Sequence, residues 1–209
     1  MDYRTKLVGA LIFGLTCTGA LAARHTAQVS QPLDFKTLVI GAPTTPQQVE
    51  TALAIPCGVS FGPGPAKCDD LDKKIQEMRR VKCGDSGDGR QICNGTTTMA
   101  VSPAEVNLVI GTNGMIERIH LTISDLAYDE VNQALNAKFG AAQHVSHPTL
   151  QNGFGATFRQ ENSLWNGPGG TELLLSQYAG DTDHSSVYFS TRADRDLVSG
   201  VSHAPSSDL

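Results

Sequence analysis

The cysteines are the residues of this chain whose type and spacing most directly indicate a chemistry. Four of the five, Cys57, Cys68, Cys83 and Cys93, are grouped in one segment. Their spacings of 11, 15 and 10 differ from the close cysteine pairs of zinc sites. An even number of cysteines in an exported chain is typical of disulfides, and three pairings are open. We favour Cys57–Cys68 and Cys83–Cys93, since each pair closes a Gly-rich loop and would contribute about 2–3 kcal/mol.

Export is predicted from the first 22 residues. Arg4 and Lys6 precede an apolar run over 7–15, and a small-residue patch ends in Ala-Leu-Ala at 20–22. A charged head, a short apolar centre and an A-x-A end form a secretory signal peptide. The apolar segment is also shorter than the ~20 residues that span a membrane. We therefore predict a signal peptide over 1–22, which also removes Cys17, and a periplasmic or secreted mature chain without a stable membrane span.

A second chemical possibility is a serine nucleophile. The segment Gly84-Asp85-Ser86-Gly87, with Cys83 before it, resembles the nucleophile segment of trypsin-like serine proteases. That match ends at Asp88, where those proteases have glycine, and no Ala-Ala-His-Cys segment occurs in the chain. A triad requires three residues in a defined geometry. The segment is therefore interpreted as a tight turn between two cysteines.

Histidines and carboxylates suggest a third possibility, a metal site. Zinc binds such side chains, and they are clustered at His144 and His147 and again at Asp181, Asp183 and His184. Both groups occupy polar segments, and neither has the H-E-x-x-H pattern or a comparable ligand set. The chain also has no phosphate loop or nucleotide fingerprint. We interpret these side chains as solvated, and we predict no metal and no cofactor.

Composition limits the class of partner. The chain carries a net charge of −5 and is 40% hydrophobic. Loss of the signal peptide, which holds one acidic and two basic residues, changes the charge to −6. No basic patch is visible, which argues against a nucleic-acid partner. The length favours one domain over 33–193 with a disulfide-bearing edge at 57–93, between flexible tails at 23–32 and 194–209.

The elements that position these residues begin with two helices. Thr45, Pro46 and Gln48 form a capping-box helix start, and Pro56 ends that helix before Cys57. A second helix is predicted from Asp69 to about Arg80. Its apolar stripe consists of Leu71, Ile75 and Met78.

Strands follow the helices. Strands are predicted over 33–40 and 91–99, and alternating apolar residues on both sides of Asn113-Gly114 predict a hairpin in which both turn residues accept φ > 0. A third helix over 127–139 has Val131, Ala134 and Leu135 on its inner face, and the stem of Lys138 joins that face. Gly140 caps this helix. Three further strands are predicted at Phe154–Trp165, Thr171–Tyr178 and Ser185–Thr191. The order predicts an α+β fold, an antiparallel sheet with helices packed on one face.

The two best-marked helices share a motif. Val49-x-x-Ala-Leu53 and Val131-x-x-Ala-Leu135 indicate either a duplicated strand–helix–strand unit or simply two amphipathic helices. With Gly41 and Thr45, the first unit resembles the opening of the BamE (SmpA/OmlA) type of outer-membrane assembly lipoprotein. The second, with Phe139-Gly140, resembles modules of that shape found in envelope assembly proteins and in secreted β-lactamase inhibitor proteins. The resemblance implies a helix-on-sheet architecture and a binding role.

We therefore expect a non-enzymatic exported binding protein, an inhibitor or immunity protein directed at an envelope-acting enzyme or toxin. The alternatives are a structural subunit of a cell-envelope assembly or secretion machine, and a secreted hydrolase. A disulfide-bounded loop, Gly58–Lys67 or Gly84–Gln91, would enter the cleft of the partner. The candidate binding residues are Phe61, Pro63, Asp85, Asp88 and Trp165. Trp165 is equally compatible with a core position and with a binding anchor.

Overall fold

The structure of this chain is a computed structural model. It describes residues 31–56, 70–151 and 155–202, without the side chains of 71, 72 and 200–202. The predicted Cys57–Cys68 disulfide, the loop over 58–67 and the candidate binding residues Phe61 and Pro63 lie outside the described residues. So do the predicted signal peptide and most of the N-terminal tail.

The described chain contains four α-helices and twelve strands in an α+β arrangement, as predicted. The helices are α1 (Pro46–Ala52), α2 (Asp70–Arg79), α3 (Tyr128–Phe139) and α4 (Arg192–Ser202). The first six strands are β1 (Asp34–Phe35), β2 (Leu38–Val39), β3 (Lys82–Asp85), β4 (Gln91–Met99), β5 (Ser102–Ile110) and β6 (Ile116–Ser124). The other six are β7 (His144–Ser146), β8 (Thr149–Gln151), β9 (Thr157–Arg159), β10 (Asn162–Asn166), β11 (Glu172–Ser176) and β12 (His184–Ser190).

Eight strands form one antiparallel sheet in the order β3-β4-β5-β6-β12-β11-β10-β7. This order is symmetric about the β6–β12 pair. A helix followed by a four-stranded meander occurs twice, as α1 with β3 to β6 and as α3 with β7 and β10 to β12. The β8–β9 hairpin is inserted between β7 and β10 in the second unit. The repeated unit therefore has four strands, where the sequence motif suggested a smaller strand–helix–strand unit.

One face of the sheet carries the hydrophobic core. Val49 on α1 and Val131 on α3 are buried there together with Leu121 and Val187 from the two central strands. Because side chains alternate along a strand, the neighbours of core residues point to the opposite face. Helix α4 packs on that opposite face, where its Asp194 bonds Arg118 and Tyr188. The prediction that helices cover one face thus applies to α1 and α3, and α4 departs from it.

Sequence signals that involve only neighbouring residues agree with the structure at three places, with one difference in detail. Thr45 and Gln48 form the predicted capping box. Gly140, at φ 81°, ends α3. The β5–β6 hairpin forms around Asn113-Gly114, but only Gly114 has positive φ. Gly111 and Gly114 are joined by a hydrogen bond, so the turn is longer than the two-residue turn that was predicted.

Five predictions about elements were wrong. The strand expected over 33–40 is divided into β1 and β2, which pair with each other. Met78 is 76% exposed, so the stripe on α2 is not buried along its length, and Ala134 is exposed on α3. The predicted strand over 154–165 is divided between β9 and β10, which belong to different sheets. Residues 194–202, expected to lie in a flexible tail over 194–209, belong to α4, which the buried Asp194 anchors to the sheet. By contrast, the expectation of an extended, exposed segment around His144 and His147 is confirmed: both histidines are exposed, and His144–Ser146 form the edge strand β7.

Candidate functional site

The β3–β4 hairpin is closed by a disulfide at its base. Cys83 and Cys93 are directly opposite each other in the register, and they form the predicted disulfide. Cys93 is fully buried, so the bond ties the edge strand β3 to the core. The backbone N–H of Cys83 also donates to Glu50 Oε1 at 3.1 Å, which links the hairpin base to α1. The base of the hairpin is therefore held by covalent, core and helix contacts.

The turn at the end of this hairpin, which we call the tip (residues 85–90), is held by its own hydrogen bonds. Asp85 Oδ1 accepts from the N–H of Gly87 at 2.7 Å, and the N–H of Ser86 donates to the carbonyl of Arg90 at 3.0 Å. Gly87 and Gly89 have φ of 86° and 84°. Glycine adopts this region without the steric cost of a Cβ. The predicted tight turn is confirmed.

Asp88 is the centre of the tip. Its carboxylate accepts from the hydroxyl of Ser86, from the backbone N–H of Arg90 at 3.1 Å and from Arg90 Nε at 2.7 Å. The side-chain hydrogen bond from Arg90 is the largest cause that holds the pKa of Asp88 well below its usual range. Asp88 is therefore an anion, and Asp85 adds a second exposed carboxylate to the same turn.

The tip lies beside two other loops at one end of the sheet. A Cβ at Gly89 would lie 3.4 Å from Thr112 Cγ2, so the tip contacts the β5–β6 turn. The N–H of Thr44 donates to the carbonyl of Gly114 at 2.9 Å, which places the loop before α1 next to that turn. The β5–β6 turn therefore contacts both the tip and the loop before α1, and the three loops lie at one end of the sheet.

Ser86 has a structural role in this turn. Its hydroxyl donates to Asp88 and contacts the carbonyl of Arg90 at 3.0 Å. Activation of a serine nucleophile requires a base in hydrogen-bond contact with the hydroxyl. Among the described residues, no histidine makes that contact, so the resemblance to a protease segment does not extend to the geometry of a triad.

The histidines and acidic residues that suggested a metal site form separate pairs. His184 Nδ1 lies 2.9 Å from Asp181 Oδ1, and this hydrogen bond is the largest cause that raises the pKa of His184. Asp183 contributes its backbone N–H to the same carboxylate. His147 Nε2 lies 3.2 Å from Glu161 Oε2. Within the described ranges there is no group of three or more potential ligands that could hold a metal ion.

Trp165 occupies the core, which is one of the two positions the sequence left open. Its side chain is fully buried, and Nε1 donates to the carbonyl of Gly140 at 2.8 Å. The indole thus fixes the end of α3 against β10. The candidate residues that the structure brings together are therefore Asp85 and Asp88, and Trp165 lies away from the surface.

The structure also has a polar groove on the face of the sheet opposite the core, which was not predicted from the sequence. Arg79 at the end of α2 lines it with Glu105 and Thr122, next to His120. Burial is the main cause that lowers the pKa of His120, and the charge of Arg118 adds to it. The sequence signal that could have indicated this groove is the alternation of side chains along β5 and β6, where polar residues separate the apolar core residues.

Comparison with known proteins adds no family to this description, because no family model, no curated protein and no solved structure matches the chain. In the part of the chain that the structure describes, no helix is long and apolar enough to cross a membrane.

Proposed function

We propose that this protein is an exported inhibitor or immunity protein that binds an envelope-acting enzyme or toxin through the tip of the β3–β4 hairpin. The observation that supports this proposal best is the construction of the tip. It is exposed, yet a disulfide holds its base and its own side chains hold its turn. Exposure makes the tip accessible to a partner, and these restraints limit its freedom before binding.

The energetic argument concerns preorganisation. Ordering an exposed side chain on binding costs about 0.5–1.5 kcal/mol, and ordering a loop backbone costs more. At the tip, Asp88 and Arg90 already hold each other, and the backbone turn is closed by the Ser86–Arg90 hydrogen bond. A partner would therefore bind a shape that exists beforehand, and less of the gross interaction energy would be lost.

The charge of the tip suggests the chemistry of the partner. Two carboxylates, Asp85 and Asp88, face solvent beside one guanidinium, that of Arg90. Asp85 uses Oδ1 within the turn, and its other oxygen remains available to a donor. The tip would fit a cleft whose rim supplies N–H donors or a basic side chain.

The test is a replacement of the tip. Residues 86–90 are exchanged for Asn-Gly, which suits a two-residue turn between the paired Asp85 and Gln91. The matched control places Asn-Gly at Ala100-Val101, the two-residue turn between β4 and β5 at the opposite end of the sheet. Wild-type and variant mature chains are immobilised, and proteins retained from envelope extracts are quantified by mass spectrometry.

We expect a specific partner to be retained by the wild type and the control and lost by the tip variant. Thermal stability of the tip variant should not fall, because the disulfide and the sheet register are kept. Equal retention by all three chains would contradict a role for the tip. Co-purification of all three with outer-membrane complexes would instead support the structural-subunit alternative.

A further inference from the structure

A cavity of about 570 Å³ lies between the β8–β9 hairpin and the turn that joins β11 to β12. Its volume falls within the range of small-molecule sites, roughly 300–1,000 Å³. The cavity lies at the end of the sheet where β12 begins, and the tip lies beyond the opposite end of the strands. It is therefore separate from the surface proposed above to bind the partner.

The walls of this cavity are aromatic and aliphatic. Leu150 and Phe158 are directly opposite each other in the β8–β9 pair, so both side chains lie on the same face of the hairpin. The ring of Phe158 approaches that of Tyr178, with centroids 6.5 Å apart and planes at 74°. Leu150 is 39% exposed and lines the cavity together with both rings. A flat apolar group could contact all three side chains.

A small number of polar groups border the apolar walls. Gln160 is buried, and its Nε2 is held by Asn162 Oδ1 at 2.6 Å and by the carbonyl of Tyr178 at 3.3 Å. Asp181 also lines the cavity, with its side chain 57% exposed. Its Oδ1 accepts from two backbone N–H groups and lies near His184, and within the described residues its Oδ2 contacts only His184 Nδ1, at 3.1 Å. Oδ2 can therefore accept from a further donor.

The charge around the cavity is acidic on the side of Asp181. Asp183 follows it in the same turn, and the basic side chain of His184 bonds the carboxylate. Arg159 neighbours Phe158 along β9 and so points to the opposite face of the hairpin. A ligand with an apolar ring and a positive charge would place its ring on Phe158 and Tyr178 and its cation next to Asp181.

We propose that this cavity binds a small aromatic amine. The ring packs edge-on against Phe158 and flat against Leu150 or Tyr178, which is the geometry that aromatic side chains favour. The ammonium group donates to Asp181 Oδ2. The mostly apolar lining with few oriented polar groups is the usual composition of a ligand site.

The test uses three probes on the full mature chain. Tyramine carries the ring and the cation, 4-ethylphenol keeps the ring without the cation, and ethylamine keeps the cation without the ring. Each is titrated while chemical shifts of the labelled protein are recorded by NMR. We expect saturable binding of tyramine with the largest shifts at Leu150, Phe158, Tyr178 and Asp181, and at least tenfold weaker binding of the other two probes.

Variants separate the two contacts. Asp181→Asn should weaken tyramine at least tenfold and leave 4-ethylphenol unchanged, and Phe158→Ala should weaken both. Asp129→Asn, which neutralises an exposed carboxylate on α3, is the matched control and should change neither. Asp181→Asn keeps the oxygen that holds the turn, so this variant gives a result even if Phe158→Ala fails to fold.

Two results would overturn the proposal. The first is the absence of saturable tyramine binding up to about 10 mM, which corresponds to a binding free energy weaker than about −3 kcal/mol. The second is equal affinity of tyramine for the wild type and Asp181→Asn. Because the cavity and the tip lie at opposite ends of the sheet, loss of partner binding in the tip variant would leave tyramine binding unchanged.

Discussion

Removal of the Cys83–Cys93 disulfide should destabilise the protein by an amount that follows from the loop it closes. The two cysteines are 10 positions apart. In the chain-entropy model, a loop of this size lowers the entropy of the unfolded chain enough to contribute about 2.7 kcal/mol at 25 °C. In a Cys83→Ala/Cys93→Ala variant, loss of the buried Cys93 sulfur adds about 1 kcal/mol, comparable to a buried methylene. The expected loss in the free energy of unfolding is therefore about 3–4 kcal/mol.

The assay is urea unfolding followed by the fluorescence of Trp165, which is the single tryptophan and is fully buried. The double variant is used in place of a reductant, because a reductant would also act on the disulfide predicted between Cys57 and Cys68. The midpoint should fall with little change in slope, since the surface buried by the rest of the fold is kept.

Hydrogen exchange provides the control for location. In the double variant, the amides of β3 should lose protection from exchange. The amides of the central strands β6 and β12 should keep much higher protection than those of β3. A loss of stability below about 1 kcal/mol would refute the reasoning, because it would mean that the loop entropy is not what the disulfide contributes. Equal loss of protection in all strands would refute the view that the disulfide holds one edge.

Three further predictions concern other parts of the fold. Asp194→Ala should lower the free energy of unfolding by about 3–5 kcal/mol in chemical denaturation, because it leaves Arg118 without its buried partner. Gly95→Ala should lower the free energy of unfolding by about 1–3 kcal/mol in the same assay, since a Cβ there would lie 2.6 Å from the backbone of Val81. In an NMR pH titration, His184 should titrate above 6.5 and His120 below it. The contribution of His184 to stability is then present below pH 6.5 and lost as pH rises through its folded pKa, while that of His120 is lost as pH falls through the window below 6.5.

Short-range signals in the sequence predicted local structure well. Thr45 and Gln48 need only each other to form a capping box, and the Gly-rich turn at 84–89 needs only its two flanking strands. The Cys83–Cys93 pairing was predictable for the same reason, because the loop between the two cysteines is short. Such features depend on residues within one turn or one hairpin, so the local sequence determines most of their structure.

Features that depend on distant residues were not predictable from pattern. Helix α4 is anchored by Asp194, whose partner Arg118 is 76 positions earlier in the chain. The predicted strand over 154–165 is interrupted because the buried Gln160, between β9 and β10, donates its N–H to Pro148. Neither contact has a local signature, since each arises only when the sheet brings the two segments together. The cavity beside Phe158 has the same origin, and no motif marked it.

The most direct test of the proposed binding role is site-specific photo-crosslinking of the exported protein in the cell envelope. A photoreactive residue is placed at Thr112, an exposed residue of the β5–β6 turn beside Gly89 of the tip, so that Asp85 and Asp88 are kept. In a second chain it is placed at Val101, which is 77% exposed in the turn at the opposite end of the sheet. The proposal predicts one discrete crosslinked protein from position 112 and none from position 101. No adduct at position 112, or the same adduct from both positions, would contradict it.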